Sequence, residues 1–152
     1  MAATDETAGA ADEAAIRALA EDMRRALHDR DSEALSAQLA ADVLVYDLAP
    51  PLATRGAEAE LDKARAWFAT KRGPIGYEPL DIRVEVGGAV AFSTGLARLR
   101  ATGTDGEEAE LWLRTTACYR KRADGRWEVA HRHASVPFHM DGSLRAAVDL
   151  RP

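Results

Sequence analysis

The sequence predicts an α+β domain in which three N-terminal helices pack on a curved, mostly antiparallel sheet. Three observations carry this expectation. Apolar residues recur at helical spacing through the first part of the chain, and strict alternation replaces that pattern from Leu80 onward. Between Glu110 and Phe138 two β-rich runs flank Ala123-Asp124-Gly125, and Asp-Gly between such runs is a hairpin signal because glycine tolerates the positive φ the turn needs. Helices first and strands after them describe an α+β arrangement.

The elements follow in order. Residues 1–11 are small and polar without periodicity, and a disordered tail is expected there, with a single domain over 12–152. Asp12 is placed to cap a helix carrying Ile16, Leu19, Met23 and Leu27 on one apolar stripe. Asp31 caps a short second helix with Leu35 and Leu39 inward. Val43 to Leu48 reads as a strand from its β-branched and aromatic content, stopped by Pro50-Pro51. A third helix is expected from Ala57 to Lys71, with Leu61, Ala64 and Phe68 on one face and Gly73-Pro74 closing it. Leu80, Ile82, Val84 and Val86 alternate with polar residues in a half-buried strand. After Gly87-Gly88 a long strand runs from Ala89 to Ala101, where Gly95 marks a bulge or bend. The hairpin of residues 110–138 and a short tail complete the chain.

Composition narrows the function classes. The net charge is −5 with both signs interspersed, which leaves no electrostatic footprint for nucleic acid. The single cysteine, Cys118, forms no internal disulfide and fits a reducing compartment. No apolar run approaches the ~20 residues a membrane span requires. The first ten residues carry acids where a signal peptide needs basic residues. A cytoplasmic protein with no membrane and no nucleic-acid partner is the expectation.

The hairpin supplies the first candidate site. By alternation Trp127, Val129, His131, His133 and Ser135 share one face of the last strand, and Trp112, Arg114, Thr116 and Cys118 share one face of the strand before it. If the two faces coincide, an Arg, two His and aromatics line one surface. An inward Arg114 suits a bidentate clamp on a ligand oxygen, or it neutralises a nearby carboxylate. His131 and His133 lie roughly 6–7 Å apart along the strand. They suit ligand hydrogen bonding, proton exchange, metal ligation with Asp47 or His139 as a third donor, or a closed pair at a pocket floor. The His-x-His pattern alone is a weak metal motif, and neither metal nor cofactor is expected. The opposite face, with Ala130, Ala134 and Val136 beside Glu128 and Arg132, suits a dimer interface.

Several stretches carry a family resemblance. They are Val-Ala-Phe-Ser-Thr-Gly-Leu-Ala-Arg-Leu at 90–99, Leu-Trp-Leu-Arg-Thr-Thr at 111–116, Arg-Lys-Arg-Ala-Asp-Gly-Arg-Trp at 120–127, and the ending from His131 through Ser135-Val136-Pro137-Phe138. Together they resemble the nuclear-transport-factor-2-like superfamily with its cystatin-like α+β cone, and within it the SnoaL-like, ketosteroid-isomerase-like branch. The resemblance implies a cone-shaped pocket between helices and sheet, and a homodimer through the outer sheet face. It also implies a catalytic Asp after the first strand, just before a Pro-containing loop. Asp47, in Val-Tyr-Asp-Leu-Ala-Pro-Pro, stands at that position. The isomerases' Tyr donor on the first helix has Met23 in its place here, a departure from the steroid-isomerase pattern.

The resulting reading is a cofactor-independent enzyme acting by proton transfer on a small, largely apolar ligand, of isomerase or cyclase type. Asp47 moves the proton, its pKa raised by an apolar cup, while Arg114, His131 and His133 position or polarise an oxygen. Tyr46, Trp112, Thr116, Met23, Trp67, Phe92 and Ser135 are the expected ligand contacts. A non-catalytic binding or assembly domain is the alternative. Epoxide hydrolysis is the third reading, and it lacks a second inward Asp beside Asp47 and Arg114.

Overall fold

The computed structural model describes residues 2–152, and side chains from Ala8 on. Helix α1 (Ala2–Asp29) is followed by α2 (Ser32–Ser36), β1 (Leu39–Tyr46), β2 (Thr54–Arg55), α3 (Ala57–Ala69), β3 (Lys71–Gly87), β4 (Val90–Gly103), β5 (Glu108–Lys121) and β6 (Trp127–Ser135). The strands form one sheet in the order β2-β1-β6-β5-β4-β3. Every neighbouring pair is antiparallel except β1 and β6, which run parallel. The α+β architecture expected from the pattern is present.

Within the stretch expected to be disordered, Met1 lies outside the described residues and Ala2 onward belongs to α1. Alanine has the highest helix propensity, so an alanine-rich segment extends a helix backward without needing an apolar stripe. Asp12 therefore sits inside α1 and does not cap it. Its carboxylate accepts from Trp127 Nε1 at 3.0 Å and Lys121 Nζ at 3.0 Å, tying α1 to the β5–β6 hairpin. Asp31 does cap α2, its Oδ1 accepting from Ala34 N at 2.9 Å. The third helix stops at Ala69, and Gly73-Pro74 lies within β3 instead of closing the helix.

Two buried clusters hold the helices on the sheet. Ile16 of α1 packs with Ala91, Tyr119, Trp127 and Val129. Ala26 and Leu27 pack with Leu35, Phe68 and Ile75, and Met23, Trp67, Tyr77 and Leu99 lie against them. Ile16 is only 1% exposed, so its burial alone contributes about 1.5–3 kcal/mol. These clusters identify the helix-facing side of the sheet. On β5 it carries Leu113, Thr115, Ala117 and Tyr119, and on β4 Ala91, Ser93, Gly95, Ala97 and Leu99.

Two of the sheet's register shifts bear on the site. The β3–β4 register shifts between Leu80 and Arg83, opposite Gly95. A Cβ at Gly95 would run into the Ile82 side chain and stand 3.1 Å from the Leu80 carbonyl oxygen, so close strand approach at the bend requires glycine. The second shift falls in β6: Tyr119 opposes Val129, yet Cys118 opposes His131. Ala130 is the extra residue of a bulge, and beyond it each side chain of β6 changes face.

Candidate functional site

The β6 bulge decides which residues can meet under the helices. Before it, Trp127 and Val129 face the helices and enter the core. After it, Arg132 opposes Ala117 and Ala134 opposes Thr115 on the helix side, while His131, His133 and Ser135 oppose Cys118, Thr116 and Arg114 on the outer side. The two hairpin faces read from the sequence do coincide, but on the outside of the sheet. Uninterrupted alternation had put His131 and His133 on the same face as Trp127. One additional residue removes them from it.

Successive rungs run across that outer face. One contains Glu85, Phe92, Cys118 and His131, and the next Arg83, Thr94, Thr116, His133 and Tyr46. Arg114 stands between Leu96 and Ser135, and Trp112 opposes Arg98, whose guanidinium lies 6.0 Å from the indole centroid. His131 Nδ1 is 2.7 Å from the Leu44 carbonyl oxygen, and the Tyr46 ring packs edge-on to both histidines at 5.0 and 5.7 Å. Tyr46, Phe92, Trp112, Arg114, Thr116, His131, His133 and Ser135 therefore share a surface away from the helices. Arg114 does not meet Asp47. Ala134 and Arg132, expected on an outer dimer face, point inward instead.

Of the expected site residues, Asp47, Met23 and Trp67 lie on the helix side. Asp47 follows β1. Its Oδ1 accepts from Leu48 N at 2.8 Å and its Oδ2 from Lys63 Nζ of α3 at 3.3 Å. The same ammonium donates to Glu60 Oε1 at 3.2 Å and Thr54 Oγ1 at 3.2 Å. Glu60, only 6% exposed, accepts through its other oxygen from Arg132 Nη2 at 3.3 Å, and Arg132 Nη1 lies 3.9 Å from Met23 Sδ. Asp47, Lys63, Glu60 and Arg132 thus form a chain of alternating charge from the end of β1 through α3 to β6. Two acids and two bases balance, which lets a carboxylate as buried as Glu60 stay paired. The surroundings of Asp47 are polar and about a third open, unlike the apolar cup expected for it.

Around this chain lie hydroxyls of the sheet. Tyr119 Oη and Ser93 Oγ are 3.0 Å apart, and Thr115 Oγ1 donates to the Gly95 carbonyl at 3.2 Å. Tyr77 opposes Leu99 on the helix side. Burial pushes the phenols of Tyr77 and Tyr119 above their ordinary value of 10.0, so both remain protonated donors at neutral pH. Met23 and Trp67 supply apolar wall, Trp67 packing on Phe68 with ring centroids 5.4 Å apart. No cluster of three or more His, Cys, Asp or Glu side chains suited to a metal occurs among the described residues.

Lys63, Glu60 and Tyr77 were not among the residues singled out from the sequence, and Arg132 was expected only on the outer dimer face. Glu60 had a readable signal: it precedes Ala64 by four residues and Phe68 by eight, a charged residue on the buried face of α3. Arg132 had none, because nothing in Ala130 marks a bulge.

A family model for the SnoaL-like domain matches residues 16–139. The chain belongs to the SnoaL-like family. Solved structures agree with this placement. An NTF2-like protein of unknown function from Pseudomonas putida KT2440 is 31% identical, with a TM-score of 0.84 over 94% of this chain and 98% of that one. A putative dehydratase of the NTF2-like family from Streptomyces avermitilis shares 20% identity, with a TM-score of 0.73 over 84% of this chain and 97% of its own. A hexachlorocyclohexane dehydrochlorinase from Novosphingobium barchaimii shares 18% identity, with a TM-score of 0.71 over 82% and 86%. At that identity the likeness to the last two shows the fold alone. No curated protein matches the chain. No helix among the described residues is long and apolar enough to cross a membrane.

Proposed function

We propose that this SnoaL-like domain is a cofactor-independent enzyme that moves a proton on a small, neutral, largely apolar molecule held between the helices and the sheet. The observation that carries the reading is the charge chain on the helix side. Asp47 is a carboxylate fixed by two donors, each oxygen retaining a lone pair for a substrate proton. In the step envisaged, Asp47 takes a proton from a carbon next to an electron-withdrawing group. The C–H electron pair passes into that group, and its oxygen gains negative charge. Isomerisation follows if Asp47 returns the proton to a second carbon. Elimination follows if a leaving group departs with the electron pair. Both reactions share the base, and the structural neighbours include a putative dehydratase and a dehydrochlorinase.

The oxygen-polarising role expected of Arg114, His131 and His133 passes to Arg132. Lys63, with Asp47, Glu60 and Thr54 as acceptors, positions Asp47 and balances its charge.

The test uses ring opening of 5-nitrobenzisoxazole, a small neutral carbon acid whose deprotonation breaks the N–O bond and releases a coloured phenolate. Wild-type protein is expected to open it faster than an equal concentration of acetate. Asp47→Asn is expected to lose at least about 100-fold in rate, the scale of a positioned general base, with unchanged circular dichroism. A rate unaffected by Asp47→Asn would remove the assignment.

Hydrolysis of an epoxide is the second reading, favoured by one observation. The second inward carboxylate that this reading lacked is present as Glu60, held by Arg132 at 3.3 Å. Incubation of a neutral epoxide such as styrene oxide in ¹⁸O-labelled water, with diol analysis by mass spectrometry, separates it from the first: labelled diol formed by wild type and lost in Glu60→Gln supports hydrolysis.

The outer sheet face is further proposed to pair with a second copy. Its exposed apolar residues, Tyr46, Leu80, Val90 and Phe92, support that reading.

A further inference from the structure

The outer face of β6 carries two imidazoles that the proton-transfer reading leaves unused. Beyond the Ala130 bulge, His131 and His133 point away from the helices, two residues apart and so roughly 6–7 Å from one another along the strand. That spacing alone is a weak metal pattern, and the structure adds the direction of the rings. His131 Nδ1 lies 2.7 Å from the Leu44 carbonyl oxygen. A carbonyl only accepts, so Nδ1 carries the hydrogen and the neutral ring keeps its lone pair on Nε2. Metal-binding histidines are arranged in this way, the second nitrogen donating to a carbonyl or carboxylate that fixes tautomer and ring orientation. His133 is exposed, with no hydrogen-bond partner among the described residues.

One aromatic ring touches both histidines. Tyr46, opposite His133 on β1, meets them edge-on, its centroid 5.0 Å from that of His131 and 5.7 Å from that of His133. Rings already packed on a shared neighbour lose less freedom when an ion draws them together. The surroundings select the ion. The carboxylate on the rung of His131 is Glu85, three strands away and so about 14 Å distant. Hard cations such as Mg²⁺ and Ca²⁺ need several oxygen ligands and find no such cage on this rung. Imidazole suits Zn²⁺, Ni²⁺ and Cu²⁺. Arg114 stands one rung further along, opposite Ser135, and its exposed, long side chain is free to keep its charge in water away from a dication.

We propose that His131 and His133 chelate a late first-row divalent ion, with Zn²⁺ as the representative, through Nε2 of His131 and a ring nitrogen of His133. Two protein ligands leave the other positions of a tetrahedral ion to water. The ion is therefore an exchangeable one, in keeping with a site that falls short of three clustered donors among the described residues. It sits across the sheet from Asp47 and Glu60 and takes no part in the proton transfer. The site goes beyond the proposed activity and does not depend on it.

Calorimetric titration of the full chain with zinc chloride tests this, with magnesium chloride as the control. Wild-type protein is expected to bind zinc saturably and magnesium not at all. His131→Ala and His133→Ala are each expected to weaken zinc binding at least about tenfold, because the second imidazole binds intramolecularly once the first is engaged. His28→Ala, His139→Ala, Cys118→Ser and Asp47→Asn are expected to stay within about threefold of wild type, having no share in the chelate. In protein labelled with ¹⁵N-histidine, zinc is expected to shift Nε2 of His131 while Nδ1 keeps its proton. Absence of saturable zinc binding would overturn the site. So would single variants that each keep half of the zinc at unchanged affinity, which is the behaviour of two independent histidines. Loss of binding in Asp47→Asn would place the ion on the helix side, and loss in Cys118→Ser would replace the two-imidazole set; either result contradicts the proposal.

Discussion

Glu60 joins the two cations of the charge chain. It is a carboxylate at 6% exposure, and two cations share it at 3.2 and 3.3 Å. Removing it takes the carboxylate partner from Arg132 and leaves Lys63 with Asp47 and Thr54, each cation about a quarter exposed. Glu60→Ala should therefore lower unfolding stability by about 2 kcal/mol, toward the smaller end for broken buried pairs because the partners keep some solvent. A urea midpoint that falls with an unchanged m-value would show this, and an unmoved midpoint would mean that the chain is not held together in solution. His131 and His133 face the other way. Replacing both with alanine should leave ring opening of 5-nitrobenzisoxazole within about threefold of wild type, whereas Asp47→Asn removes it. Asp47 was singled out because the family resemblance implies a catalytic Asp between the first strand and a Pro-containing loop, and Val-Tyr-Asp-Leu-Ala-Pro-Pro fits that pattern. Lys63 was not, because a lysine on a surface-like helix resembles any solvated charge until β1 delivers Asp47 to it.

Among elements, β6 and α1 matter most. The one-residue bulge at Ala130 converts a strand that reads as continuous alternation into two halves with opposite faces. Strand existence, hairpin turn and partner strands were readable from Asp124-Gly125 and the flanking β-rich runs. The face was not, because a bulge is set by how β5 and β6 twist around the core, and alanine fits either arrangement. The bend in β4 was legible, since Gly95 is the one residue in that strand that lets Ile82 approach. Gly95→Ala should cost about 1–3 kcal/mol by overpacking, read from thermal or urea unfolding. Helix α1 is tied to the hairpin by Asp12. Its hydrogen bond from Lys121 and then that from Trp127 hold its carboxyl below the ordinary 3.8. A depressed carboxyl contributes stability above its unfolded value and loses it as pH falls through the folded value. Asp12→Asn should therefore lower Tm near neutral pH, and the gap from wild type should close as the pH drops below about 4. A gap independent of pH would assign Asp12 a purely steric role.

At the scale of the whole molecule, the charge chain and the histidine-bearing outer surface occupy opposite sides of one sheet. The α+β class and the family were legible because helical periodicity gives way to alternation along the chain and because several stretches between residues 90 and 138 carry the family resemblance. The distribution of function between the two sides was not, since it depends on a single register shift. With His131, His133, Phe92 and Tyr46 on the outer face, that face is available for association between copies. Sedimentation equilibrium is expected to give a dimer that Phe92→Asp converts to monomer, since a charge placed in an apolar contact is strongly unfavourable. A monomeric wild type would remove the pairing.

The central claim is that proton transfer belongs to the helix side of the sheet and not to the histidine-bearing side. The most direct measurement compares 5-nitrobenzisoxazole ring opening by wild type, Asp47→Asn and the His131→Ala/His133→Ala double variant in one assay. The account predicts activity in wild type, near-wild-type activity in the double histidine variant, and loss in Asp47→Asn. Activity that survives in Asp47→Asn and disappears in the double histidine variant would contradict it.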